Sequence, residues 1–202
     1  MPMSDDDVPR TGMPADALFL ALQPDAGTAG RIAALAARLR TQHGLTGTPQ
    51  PAGLLHVTLF FMGRFAGVPQ ELVARCCEAL AHFRAPSFDV CFDRVLSFGG
   101  KSRRPVVLVG GALLAPLHQF QGHMRSVLLQ ANLSQPDKPA FIPHVTLLRD
   151  DLQVPEQPVE PVCWTVRDFV LVRSLHGRGE HQVLARFALD ARLPPGDRMS
   201  SA

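Results

Sequence analysis

Two tetrapeptides carry the residues best suited to chemistry: His56-Val57-Thr58-Leu59 and His144-Val145-Thr146-Leu147. Chance supplies roughly 0.04 copies of His-x-Thr-Leu in a chain of this composition, so two copies is an event on the order of one in a thousand. A lone histidine on a strand is usually structural; the doubled motif reverses that reading. Residues two apart on a strand project to the same face. His56 therefore points with Thr58, and His144 with Thr146 and Leu148, while Val57, Leu59, Val145 and Leu147 pack behind. If the two strands face each other, two imidazoles and two hydroxyls surround one small space.

That set suits displacement at phosphorus. A neutral imidazole takes a proton from attacking water, and a protonated one gives a proton to the departing oxygen. An ordinary imidazole pKa of about 6.5 makes both forms available near neutrality. Threonine hydroxyls can hydrogen-bond the non-bridging oxygens and hold the phosphorus in line. These steps require neither metal nor cofactor, and none is expected.

The elements that must position the motifs follow from changes of apolar period. Residues 17–22 form a short apolar run that suits a buried strand. From Arg31 the period becomes helical through Ile32, Leu35 and Leu39, with Gly44 as its stop. Residues 54–62 read as a second strand. Pro69 opens a helix with Leu72, Val73, Cys76, Leu80 and Phe83 inward. Residues 87–98 alternate as a half-buried strand. Then 105–109 is a strand, Pro116 opens a helix lined by Leu117, Phe120, Met124, Val127 and Leu128, and 142–148 is a strand. Two late strands are expected near 164–173 and 182–189, with a glycine turn between them. Strand, helix, strand thus occurs twice, and each second strand carries one motif.

The bulk composition narrows the classes. With 46% apolar and 19% charged residues the chain is globular rather than disordered. A net charge of +2 does not by itself argue for nucleic acid, so a polyanion would have to meet a local patch. The four cysteines, Cys76, Cys77, Cys91 and Cys163, show no C-x-x-C spacing and read as reduced thiols. No leader pattern opens the chain and no apolar run approaches the roughly 20 residues of a membrane span. A cytoplasmic monomer is expected, with residues 1–15 and 194–202 as loose tails around one bilobal domain at 16–193.

The paired motifs resemble the two-histidine phosphoesterase superfamily, and their surroundings resemble its RNA 2′,3′-cyclic phosphodiesterase branch, also called the 2′-5′ RNA ligase family. The likeness runs through Phe19-Leu20-Ala21-Leu22-Gln23-Pro24, Leu55-His56-Val57-Thr58-Leu59-Phe60-Phe61-Met62-Gly63, Phe141-Ile142-Pro143-His144-Val145-Thr146-Leu147-Leu148-Arg149 and Val170-Leu171-Val172-Arg173-Ser174. It implies an α+β fold of two pseudo-symmetric lobes, with antiparallel sheets flanking a central cleft and helices packed outside. It implies hydrolysis of RNA 2′,3′-cyclic phosphate ends to 2′-phosphates, with reversible 2′-5′ ligation as a secondary activity. His56 would be the general acid and His144 the general base, with Thr58, Thr146 and Arg149 on the phosphate and Phe141 near the nucleotide. The chain departs from the family after the final glycine turn, where an aromatic is common and Gly179-Glu180-His181-Gln182 stands instead.

Two other classes stay open at this stage. One is a nucleotide- or RNA-binding module that turns nothing over, since fold does not fix function. The other is a phosphodiesterase for a different cyclic phosphate or a 2′-5′ oligonucleotide. Lys101, Arg103 and Arg104 form a basic loop that suits an RNA backbone or plain solvation. His118 and His123 diverge on a helix and read as surface or packing residues; His176 and His181 flank a glycine turn and read as lining the cleft mouth or, by preference, as plain turn residues.

Overall fold

The computed structural model describes residues 15–134, 140–175 and 177–191. Apart from Ala15, the expected tails lie outside these residues, as does His176. Each change of apolar period becomes an element. β1 (Asp16–Leu22) is buried along nearly its whole length. α1 (Ala26–Gln42) starts where the Asp25 carboxylate accepts the Thr28 N–H at 2.8 Å, capping a free amide of the first turn. β2 (Val57–Phe65) and α2 (Gln70–Leu80) follow, then β3 (Phe88–Ser97) and β4 (Arg104–Val109). α3 (Ala115–Gln130) has Pro116 in its first turn, where a missing N–H costs nothing. β5 (His144–Asp150), β6 (Gln157–Val166), β7 (Asp168–Leu175) and β8 (Glu180–Ala188) complete the order.

The expected α+β architecture is what forms. Two four-stranded antiparallel sheets run β2-β1-β7-β8 and β5-β4-β3-β6. One strand is hidden in the sequence. The run expected at 164–173 is two strands broken at Arg167, and the first begins at Gln157. β6 carries Pro158 and Pro161, which argue against a strand in sequence. As an edge of its sheet it needs fewer ladder donors, so both prolines are tolerated.

The helices cross between the sheets. α1 connects two strands of the first sheet, yet it packs on β5 and β6 of the second, where Arg31 donates to the Cys163 carbonyl at 2.9 Å. α3 connects β4 to β5 of the second sheet but reaches β7 of the first, with the Phe120 and Phe169 rings 5.4 Å apart. Phe169 is fully buried and also meets Phe83 and Phe187 edge-on or stacked. Burying such a ring contributes about 1.5–3 kcal/mol, so this cluster holds the helices to the sheet. Among the described residues, no helix is long and apolar enough to cross a membrane.

The reading of four reduced thiols is corrected. Cys91 and Cys163 are direct partners across β3 and β6, with Cα atoms 4.2 Å apart, and form a disulfide. Their 72-residue separation concealed a pairing that only strand register creates. Cys76 and Cys77 are free; burial pushes the Cys76 thiol up to about 12, which leaves it inert near neutrality.

Candidate active site

β2 and β5 are each an edge of their own sheet, and they approach one another. His56 immediately precedes β2 and His144 opens β5. Both motifs carry the same irregularity. On β2, Thr58 pairs with Ala21 and Phe60 with Leu20, which leaves Leu59 out of the ladder. On β5, Thr146 pairs with Val107 and Leu148 with Val106, which leaves Leu147 out. Each motif leucine is therefore a β-bulge, and one extra residue reverses the alternation beyond it.

This corrects the expectation that Leu148 shares a face with His144. Leu148 turns into the core beside Val145, at 1% and 0% exposure. Arg149, which strict alternation would send to the core side, comes onto the face of His144 and Thr146. In the first half the same reversal places Phe61 beside Phe19 on the cleft face, with Ala17, Ala21, Val170 and Val172 around them.

The bulges also lock the halves together. The Leu147 carbonyl accepts the Gln50 N–H at 2.7 Å, from the segment that leads to His56. The Leu59 carbonyl accepts from the Gln121 side-chain amide of α3 at 3.2 Å. Each half thus satisfies the carbonyl that the other half's bulge leaves over, and Gln121 is buried for that purpose. Next to this, the buried Asp150 carboxylate accepts the Thr46 and Gly47 N–H groups at 2.7 Å and the Leu152 N–H at 2.8 Å. Those bonds, the one from Leu152 foremost, hold its pKa below the usual carboxylate range.

The imidazoles are anchored alike. His56 Nδ1 lies 2.7 Å from the Leu54 carbonyl oxygen, and His144 Nδ1 lies 2.8 Å from that of Ile142. A carbonyl can only accept, so each Nδ1 carries the hydrogen and both rings share one tautomer. Phe19 stacks on His56 at 5.0 Å, and Phe98 meets His144 edge-on at 4.9 Å.

Burial drives the His56 pKa down to about 4, outweighing the Leu54 hydrogen bond; like charge on His181 and His144 lowers it further. The folded value then lies below the unfolded value of about 6.5, so the unfolded chain binds more protons between them. Stability is accordingly lost as pH falls through that window. Melting temperatures from about pH 6.5 to 4 should drop less steeply for His56→Gln than for the natural chain. Parallel curves would contradict the depressed value.

A cavity of about 260 Å³ opens beside His56, lined also by Gln50, Arg64, Ser174, Glu180 and His181. His144, Thr58, Thr146, Arg149 and Phe141 are not in its lining. Its lining comes from strands of the first sheet and the segments that flank them. Thr58 and Thr146 are half-buried next to their histidines, and Phe141 packs on the core with its ring 5.4 Å from His118. The basic loop is partly self-satisfied: Arg104 donates to the Gly100 and Asp151 carbonyls. Among the described residues, no group of three His, Cys, Asp or Glu side chains could hold a metal.

Of the two readings the sequence offers for His181, a plain turn residue and a residue at the cleft mouth, the structure favours the second, since His181 lines the cavity beside His56. Its ring lies 5.0 Å from that of His56. The signal available in sequence is its position, where the family it resembles commonly has an aromatic.

A family model described as the 2′-5′ RNA ligase superfamily matches residues 24–178. Among solved structures, E. coli LigT complexed with 3′-AMP is 28% identical with a TM-score of 0.68, covering 87% of this chain and 98% of that one. E. coli LigT complexed with phosphate is 29% identical with a TM-score of 0.64, at the same coverage. TT0787 of Thermus thermophilus shares the fold at 22% identity and a TM-score of 0.67, covering 85% of this chain and 97% of that one. No curated protein sequence matches the chain significantly.

Proposed function

Because the chain belongs to the 2′-5′ RNA ligase superfamily, we propose that it hydrolyses 2′,3′-cyclic phosphate ends of RNA to 2′-phosphates, using His56 and His144 as an acid–base pair. One observation carries the reading: two imidazoles at equivalent points of facing edge strands, each with Nδ1 tied to a carbonyl two residues back. One imidazole from each motif can supply one of the two proton transfers that the reaction needs.

In this mechanism His144 removes a proton from the attacking water and His56 protonates the departing 3′-oxygen. Burial favours neutral His56 in the free protein, whereas an acid must arrive protonated. An anionic phosphodiester bound beside the ring favours the charged form and raises the pKa in the complex. Arg149, on the face of His144, and the Thr58 and Thr146 hydroxyls hold the non-bridging oxygens. Phe141 contacts the nucleotide. The LigT structures that hold 3′-AMP and phosphate support a nucleotide-sized anion in a fold like this one.

The test is a product assay on RNA with a 2′,3′-cyclic phosphate end, in EDTA, separating 2′- from 3′-phosphate. The expected product is the 2′-phosphate. One limb of the kcat/KM profile should lie near the pH of about 4 set by His56, and the matching kcat limb should lie higher because the bound phosphate raises that pKa. No opening of the cyclic phosphate, or a 3′-phosphate product, would refute the reading.

A further inference from the structure

β8 brings a third imidazole to the pair. Arg64 pairs with Ala17, Ala17 with Ser174, and Ser174 with His181, so these four residues form one row across the first sheet. Arg64, Ser174 and His181 all line the cavity that His56 enters. The His181 ring stands edge-on to both His56 and Phe19, at 71° and 76°.

Its two nitrogens are not equivalent. Nδ1 is buried and has no hydrogen-bond partner among the described residues. A hydrogen placed there would be a desolvated donor without an acceptor, which is costly. The neutral ring therefore keeps its hydrogen on Nε2, the nitrogen it can offer to the cavity. Charging the ring would require the buried Nδ1 to take a proton as well, so His181 does not serve as a third acid. Burial lowers its pKa, in keeping with that.

The lining residues Arg64, Ser174, Gln50 and His181 carry a guanidinium, a hydroxyl, an amide and an imidazole N–H. They suit an oxygen-rich ligand rather than an apolar one, and Glu180 at the rim can accept from a sugar hydroxyl. In-line attack puts the departing oxygen, and the ribose that bears it, on the side of the acid, which the reading above assigns to His56. We propose that His181 is a substrate-binding residue whose Nε2–H donates to a ribose or phosphate oxygen of the nucleotide held beside His56. The inference rests on that reading for its ligand, while its tautomer does not depend on it.

Two measurements test it separately. Long-range ¹H–¹⁵N spectra of the imidazoles at neutral pH should show His181 with hydrogen on Nε2, opposite to the Nδ1–H form of His56 and His144. A His181 ring with hydrogen on Nδ1, or a charged one, overturns the proposal whether or not the chain turns over cyclic phosphates. The second arm compares His181→Phe, His181→Asn and His181→Gln, each checked by melting temperature, for 2′-AMP binding by calorimetry and for KM. Gln places an N–H where Nε2 lies, and Asn where Nδ1 lies. Phe and Asn should weaken binding and raise KM by roughly tenfold to a hundredfold, with kcat little changed, while Gln stays within a few-fold. Equal behaviour of all three, or loss in kcat alone, overturns the proposal. If no protein cleaves cyclic phosphate yet 2′-AMP binding follows this order, the hydrolysis reading fails and the His181 contact stands.

Discussion

His56→Ala and His144→Ala should each reduce kcat for opening a 2′,3′-cyclic phosphate by about 10²–10⁴, with KM little changed. That is the usual worth of one proton-transfer role. Both histidines lie at strand entrances facing the cleft and are half-buried, so their removal leaves the core clusters intact. The double variant should not show the product of the two losses, because groups that act on one transition state are not additive. A kcat drop with an unchanged melting temperature separates lost chemistry from lost structure. Full turnover by either single variant in EDTA would sink the acid–base assignment.

Gly47→Ala should destabilise the protein and slow it together. A Cβ at this position would overlap the backbone carbonyl of Arg149 and press on the Asp150 carboxylate. Neither is the loose end of a flexible side chain, so the segment must move off β5. Moving it strips Asp150 of the Thr46 and Gly47 donors and breaks the bond from Gln50 to Leu147. Buried polar groups left unsatisfied cost about 1–3 kcal/mol each. A total of about 3 kcal/mol, or roughly 6–12 °C in melting temperature, is expected. The same segment leads into His56, so the two imidazoles lose their registration and kcat falls as well. Gly53→Ala is the control, since a Cβ there meets nothing within 4 Å. An unchanged melting temperature for Gly47→Ala would show that the clamp does not hold the halves.

This clamp marks the boundary of what residue types can reveal. Gly47 and Asp150 are an ordinary loop glycine and strand-end acid when read alone, and nothing in their types pairs them across 103 residues. Gln121 is one polar position on an amphipathic helix until α3 lies across the Leu59 bulge. The Cys91–Cys163 disulfide is of the same kind, as is β6, whose prolines argue against the strand that an edge position permits.

The family resemblance implied the class of fold, and the sequence by itself determined the paired His-x-Thr-Leu motifs and the repeated strand–helix–strand unit. Local pattern suffices for these, because side-chain period and motif identity survive without knowledge of neighbours. The tertiary structure decided how the motifs meet. Strict alternation from His144 puts Leu148 in the cleft and Arg149 behind it, and the bulge at Leu147 reverses both. A bulge arises from the pairing of two strands, so neither strand's sequence declares it. His181 reaches His56 for the same reason: β8 joins the first sheet beside β7, and register alone carries a turn-flanking histidine to the His56 ring.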